Sequence, residues 1–224
     1  MTGELLDYIE RDTGTGPQYA VIWLHGLGAD GHDFEPIVPE LGLSESTPVR
    51  FIFPHAPSRP VTINAGMVMR AWYDIIRMDL GVEVDADGIN QSAEHLRRLI
   101  SATVDSGIPS ERIVLAGFSQ GGVVALHTGL LHTDSLAGII ALSTYVPIPD
   151  AIRRYASEAN KHIPIFMAHG RFDPVIPYPM GRQSAEFLMK EGYPVQWHEY
   201  PMEHSVYPDE IRDLAHWLSG VVTA

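Results

Sequence analysis

Cysteine is absent from all 224 residues. That excludes a disulfide framework, a thiolate metal site and a cysteine nucleophile, and it fits a reducing compartment. Apolar runs long enough to cross a bilayer, about 18 residues, are missing too. The longest, such as Leu136-Ala-Gly-Ile-Ile-Ala-Leu142, has the length of a buried strand. Positive charge is scarce: 15 Lys and Arg stand against 28 Asp and Glu, a formal net charge of −13. Such a surface repels phosphate backbones and is not drawn to anionic lipid, so neither a nucleic-acid partner nor stable membrane insertion is expected. The start, Met1 to Asp12, is acidic and lacks a basic segment followed by an apolar one. It does not read as a signal peptide, and the expected location is the cytoplasm. No G-x-G-x-x-G fingerprint and no lysine-bearing P-loop occurs, which disfavours a dinucleotide or nucleotide enzyme.

What is present reads as a folded globular chain, 45% hydrophobic and 19% charged. Short apolar runs recur at Tyr19–Leu24, Val49–Phe53, Arg112–Ala116, Leu136–Leu142, Ile163–Ala168 and Val195–Tyr200. Most are unbroken rather than alternating, as strands covered on both faces require. Between them lie helical periods: Ile89, Ala93, Leu96 and Ile100 on one face of a helix over about 87–104, a helix over about 181–191, and Ile211, Leu214, Ala215 and Leu218 in a last helix with Pro208 in its first turn. Strands alternating with helices predict an α/β fold with a mostly parallel central sheet and helices on both faces. With no linker or repeat in the composition, residues 1–224 are expected to form one domain. Two Pro-rich clusters, Phe53–Pro60 and Asp173–Pro179, follow strands. In open α/β sheets that is where sites are built.

Gly117-Phe118-Ser119-Gln120-Gly121 forms a G-x-S-x-G pentapeptide. Chance would supply about 0.1 such strings at this composition, so the string alone is weak. Its setting, between a buried strand and an Ala/Val/Leu helix, is what a nucleophilic serine on a strained turn needs. A serine hydroxyl requires a histidine base, and that histidine an anion to orient it. The chain order expected on such a sheet is Ser, acid, His. Asp173 follows a strand and precedes Pro174; Asp134 lies before a strand, while Asp150 and Asp209 read as helix starts. His204 follows the strand ending at Tyr200. His169 precedes Asp173, and His198 and His216 fall within a strand and a helix. Ser119, Asp173 and His204 are therefore the candidate catalytic residues. Oxyanion donors are expected from the backbone N–H of Gln120 and, in the loop Trp23–His32, of Leu27 between Gly26 and Gly28. His25, His32 and Asp33 match no familiar ligand pattern, so no metal is expected.

Residues 61–82 are apolar and aromatic with little alternation. They read as a flap-like acyl-binding insertion, with Met67, Met69, Trp72, Ile75, Ile76 and Met78 as candidate substrate-binding residues. Tyr145–Pro149 is a further candidate border.

The motifs His25-Gly-Leu-Gly28, Pro54-His-Ala-Pro57, Pro60–Asn64 with Trp72-Tyr-Asp74, Gly117–Gly122, His169-Gly with Asp173–Pro177, and the His204 loop together resemble the carboxylesterase, lysophospholipase and acyl-protein thioesterase family of α/β-hydrolases. The likeness runs from about residue 18 to the end. It implies an α/β-hydrolase fold, the triad and oxyanion residues named above, no cofactor, a small-molecule or lipid-like acyl ester substrate, and a homodimer as in several family members. The first reading is a serine carboxylesterase. The alternatives are an acyl-protein thioesterase or lysophospholipase and, outside catalysis, a hydrolase fold used as a binding module.

Overall fold

The computed structural model describes residues 5–44, 46–76 and 84–223. Seven strands make the main sheet: β1 (Tyr8–Asp12), β2 (Tyr19–Leu24), β3 (Val49–Pro54), then, beyond a small hairpin of β4 (Ser58–Val61) and β5 (Met67–Arg70), β6 (Ile113–Phe118), β7 (Gly138–Leu142), β8 (Ile165–Gly170) and β9 (Val195–Tyr200). Their order is β1-β3-β2-β6-β7-β8-β9. All neighbours run parallel except β1, which pairs antiparallel with β3. The chain leaves β2 toward β3 and returns to β6 on the other side of β2. The order therefore reverses between β2 and β6, whose ends lie side by side with Leu24 opposite Gly117. In an open parallel sheet that reversal opens a crevice at the carboxyl ends of the strands.

The unbroken apolar runs follow from two covered faces. Val21, Trp23, Val114, Ala116, Ile140 and Phe166 point to one side, against α1 (Ile37–Glu40) and α6 (Pro208–Val221). Their neighbours Ala20, Ile22, Leu115, Ile139, Ile165 and Met167 point to the other. There they meet α2 (Ala86–Asp105), α3 (Gln120–Leu131), α4 (Pro149–Tyr155) and α5 (Tyr178–Lys190). Residues 120–130 of α3 are all buried, so that helix is apolar all round rather than striped. Among the described residues no helix is long and apolar enough to cross a membrane.

Local boundaries differ from the sequence reading where tertiary contacts decide. Strand β1 carries the mostly exposed sequence YIERD and shows no apolar run. It is held as an edge strand by its ladder to β3 and by Arg50, which pairs with Asp12 at 3.0 Å and Glu10 at 3.2 Å. Helix α5 begins at Tyr178, with a proline in its first turn, rather than at Gly181. Strands β7 and β8 each start two residues later than their apolar runs.

Helix α6 opens with Glu210, fully buried, accepting the Tyr207 N–H through Oε2 at 3.1 Å. Its Oε1 has no partner among the described residues. A helix N-terminus favours a carboxylate, but burial outweighs it and pushes the carboxyl up to about 8 against the pull of that N–H. The native chain then binds more protons than the unfolded chain between about 4.5 and 8, so this group's contribution to stability is present below 4.5 and lost as pH rises through 8. We predict that Glu210→Gln flattens the stability profile. Urea unfolding at pH 5.5 and 8.5 should differ less in the variant than in the wild type, and equal differences would show that the carboxyl is ionised throughout.

Candidate active site

Ser119 joins β6 to α3 at φ 54° and ψ −120°. A non-glycine residue in that region carries about 1–3 kcal/mol of strain and persists only where its surroundings hold it. Here the Ser119 N–H donates to Leu142 O at 2.9 Å, and Ser119 O accepts from Gly122 N at 3.0 Å and from the Thr144 hydroxyl at 2.8 Å. The flanking glycines let backbones touch. A Cβ at Gly117 would sit 2.3 Å from Gly121 C and O, and one at Gly121 would sit 2.3 Å from Leu24 O.

Asp173 lies in the turn after β8. Its Oδ1 accepts the N–H groups of Val175 and Ile176, both at 2.8 Å. Its Oδ2 is 2.7 Å from His204 Nδ1, and His204 Nε2 is 2.9 Å from Ser119 Oγ. The carboxylate accepts, so the proton between them sits on Nδ1 and leaves the Nε2 lone pair for the serine hydroxyl. Burial pushes the Asp173 carboxyl up, but His204 and the two backbone donors together pull it below its ordinary value. It is therefore a carboxylate in the working range. The rivals lie elsewhere. Asp150 and Asp209 pair with Arg153 and Arg212 in their own helices. Asp134 faces His132 at 3.9 Å, and His198 faces Asp213 at 3.7 Å. His169 lies beneath Asp173, with Nε2 3.5 Å from Oδ2.

The loop after β2 is built on His25, whose hydrogen-bonding role the sequence did not signal. His25 Nδ1 donates to Gly26 O at 2.7 Å, and Nε2 accepts the Ala56 N–H at 3.0 Å. The Trp72 indole donates to His25 O at 2.9 Å. Burial lowers the His25 pKa to about 4, so the ring is neutral and can donate and accept at once. The Gln120 side chain continues this frame: Oε1 accepts the Trp72 N–H at 2.8 Å and Nε2 donates to Tyr73 O at 2.7 Å. The backbone N–H groups of Leu27 and Gln120 make no hydrogen bond among the described residues, and both residues border the cavity that contains Ser119. Two free donors beside a hydroxyl are what a developing oxyanion needs. Among the described residues no group of three His, Asp or Glu side chains could hold a metal ion.

That cavity measures about 390 Å³. Of its lining residues, Tyr73 and Ile176 are buried, Ile63 and Val175 are exposed, and Ile75 and Tyr145 are partly buried. Of the expected flap residues, Ile75 borders it, as does Tyr145 of the second candidate segment. Met67, Met69, Trp72 and Ile76 do not line it, and Met78 falls outside the described residues. Met67 sits on the outside of the β4–β5 hairpin, 64% exposed. The sulfur of Met69 takes the Asn64 amide at 3.3 Å, beside Gly28. Trp72 is buried beneath the loop after β2, because its two N–H groups are claimed by Gln120 and His25. Tyr73 of the same apolar segment does line it, and the sequence missed Ile63. Strand period gives no hint of which residues turn inward from a hairpin that stands off the main sheet.

The model of the phospholipase/carboxylesterase family matches residues 12–222. An acyl-protein thioesterase 1 of Cryptococcus neoformans is 42% identical over 215 residues, covering 88% of this chain and 90% of that one. Another, from Mycosarcoma maydis, is 39% identical over 231 residues and covers 96% of each. Among solved structures, SOBER1 of Arabidopsis thaliana superposes with a TM-score of 0.85 at 30% identity, covering 91% of this chain and 99% of that one. Acyl-protein thioesterase 2 of Zea mays gives 0.83 at 25% identity, covering 96% and 99%.

The His25 frame yields a prediction. His25→Leu leaves the Ala56 N–H unpaired in the interior and leaves Gly26 O with only the longer bond from Ala29 N, and should destabilise the fold by about 1–3 kcal/mol. In the wild type, the unfolded chain takes a proton at about 6.5 that the native ring refuses until about 4. The stability this group contributes is therefore complete above 6.5 and lost as pH falls toward 4. Denaturant unfolding of both proteins from pH 7.5 to 4.5 should show a shallower acid loss in the variant. Parallel profiles would mean that the buried ring is charged.

Proposed function

This chain belongs to the phospholipase/carboxylesterase family of α/β-hydrolases, a serine hydrolase acting on esters or thioesters, and on that premise we propose that it is an acyl-protein thioesterase working through Ser119, His204 and Asp173. The observation that carries the proposal is the hydrogen-bonded line from Asp173 through His204 to Ser119 at the wall of a largely apolar cavity. The sequence reading put a carboxylesterase first. The weight moves to its alternative because near-full-length relatives at about 40% identity are named acyl-protein thioesterases.

The mechanism follows from the geometry. Ser119 Oγ attacks the acyl carbonyl carbon while His204 Nε2 takes its proton. The carbonyl π pair becomes an oxyanion, which the N–H groups of Leu27 and Gln120 receive. Asp173 holds the imidazolium upright without accepting its proton. Collapse re-forms the carbonyl and expels the thiol or alcohol, which takes the proton from His204, leaving acyl-Ser119. Water then repeats the sequence, with His204 as base, and releases the acid and free Ser119. A thiol leaving group has a pKa near 8.5 and needs less help from the protonated histidine than an alcohol does. The same constellation therefore serves thioesters at least as readily as esters. An acyl tail is the part of either substrate that gains from the apolar walls around Ile75 and Ile176.

Ser119→Ala should lower kcat on p-nitrophenyl butyrate by about 10³-fold or more. The loss should be as large on an S-palmitoylated peptide, with the thermal midpoint little changed. The wild type should turn over the acylated peptide with a higher kcat/KM than a lysophospholipid. Preference for the lysophospholipid would favour the phospholipase reading, and full activity of Ser119→Ala would end the serine mechanism.

A further inference from the structure

His169 ends β8 four residues before Asp173, and the mechanism above leaves it without a role. Its ring is buried in a tight slot. It stacks on Trp197 of β9, with centroids 6.2 Å apart, and meets the Tyr178 ring of α5 edge-on at 6.4 Å. Against the third side runs α5 itself: a Cβ at Gly181 would lie 2.3 Å from His169 Nδ1. Nδ1 is buried with no hydrogen-bond partner among the described residues. Nε2 lies 2.9 Å from Ile176 O and 3.5 Å from Asp173 Oδ2. A carbonyl oxygen only accepts, so the proton must be on Nε2 and Nδ1 must be bare.

Ile176 is held from both ends. Its N–H donates to Asp173 Oδ1, and its C=O receives His169. The turn that aims the carboxylate is thus tied to the β8 strand by one imidazole. The N–H of that imidazole also faces Oδ2, the same oxygen that receives His204 Nδ1. The ionisable groups that face the ring are Asp173, His204 and Tyr178, whose hydroxyl is turned away to donate to Glu199. Burial lowers the His169 pKa against the pull of Ile176 O and Asp173.

We propose that His169 is a positioning residue for the Asp173–His204 pair, acting as a fixed Nε2–H donor that clamps the 173–176 turn and orients Oδ2. The inference rests on the triad reading above. It differs from a plain packing role in requiring a donor at one atom of the ring. A glutamine amide reaches the place of Nε2, whereas an asparagine amide reaches only that of Nδ1.

The test compares His169→Asn with His169→Gln. His169→Asn should lower kcat about 10- to 100-fold with KM within about twofold, the scale expected when a catalytic group is misplaced by a fraction of an ångström or more. His169→Gln should recover most of that loss. In an Asp173→Asn background the two variants should no longer differ, because the oxygen they orient has changed. Equal kcat for Asn and Gln, or undiminished differences in that background, would overturn the proposal. Should His169→Asn not fold, nitrogen-15 NMR of the unmodified enzyme still decides. At pH 8 His169 should be the Nε2-protonated tautomer, and an Nδ1–H tautomer would refute the clamp. Failure here with Ser119→Ala inactive sinks only the role of His169, whereas an active Ser119→Ala sinks the triad itself.

Discussion

Contact between bare backbones at the ends of β2 and β6 governs the rest of this molecule. Gly117 lies against Gly121, and Gly121 lies against the carbonyls of Leu24 and His25. No side chain fits in either gap. Strand, turn and helix can therefore close tightly enough to hold Ser119 at a positive φ, with the bonds to Leu142 and Thr144 locking it there. The strain of one residue is small beside the burial of α3, where each fully buried Val or Leu side chain contributes roughly 1.5–3 kcal/mol. The sheet and helix can thus impose the turn, and the hydroxyl stands at the crevice where the strand order reverses.

Around that turn the polar groups are arranged so that neutral rings do the holding. His25 ties the loop after β2 to Ala56 and Gly26. The Trp72 indole binds that loop to the segment after β5, and the Gln120 amide ties the same segment to the start of α3. His169 stands in the same relation to the Asp173 turn. Each imidazole is buried and has its pKa lowered by that burial. A neutral ring keeps one donor in a fixed direction without placing a second positive charge beside the site. The one carboxylate in the cluster keeps its charge because its hydrogen bonds outweigh its burial.

Much of this was legible in the sequence, and the legible part has a pattern. The buried strands and helices announced themselves through unbroken apolar runs and helical periods, because two covered faces leave no polar residues along them. The convergence of residues 119, 173 and 204 could be read from chain order, since each follows a strand of one parallel sheet. Strand β1 could not be read: an edge strand lying on the surface needs no apolar run, and Tyr-Ile-Glu-Arg-Asp carries none. The path of residues 62–76 was equally hidden. Trp72 and Tyr73 look like acyl-pocket residues by composition, yet Trp72 is drawn under the loop after β2 by partners 47 and 48 positions away in sequence. His25 and His169 were weighed only as a metal ligand and as a catalytic base, because their actual partners are backbone groups that no side-chain pattern reveals.

Gln120 has two jobs in one residue. Its backbone N–H is one of the two free donors beside Ser119, while its side-chain amide bonds to Trp72 N and Tyr73 O, and Tyr73 lines the cavity. The free donor beside the hydroxyl and one residue of the cavity lining therefore share a single anchor, and a change at Gln120 reaches both. Ile63, on the exposed part of the lining, stands outside that anchor and bonds through its N–H to Ile75 instead.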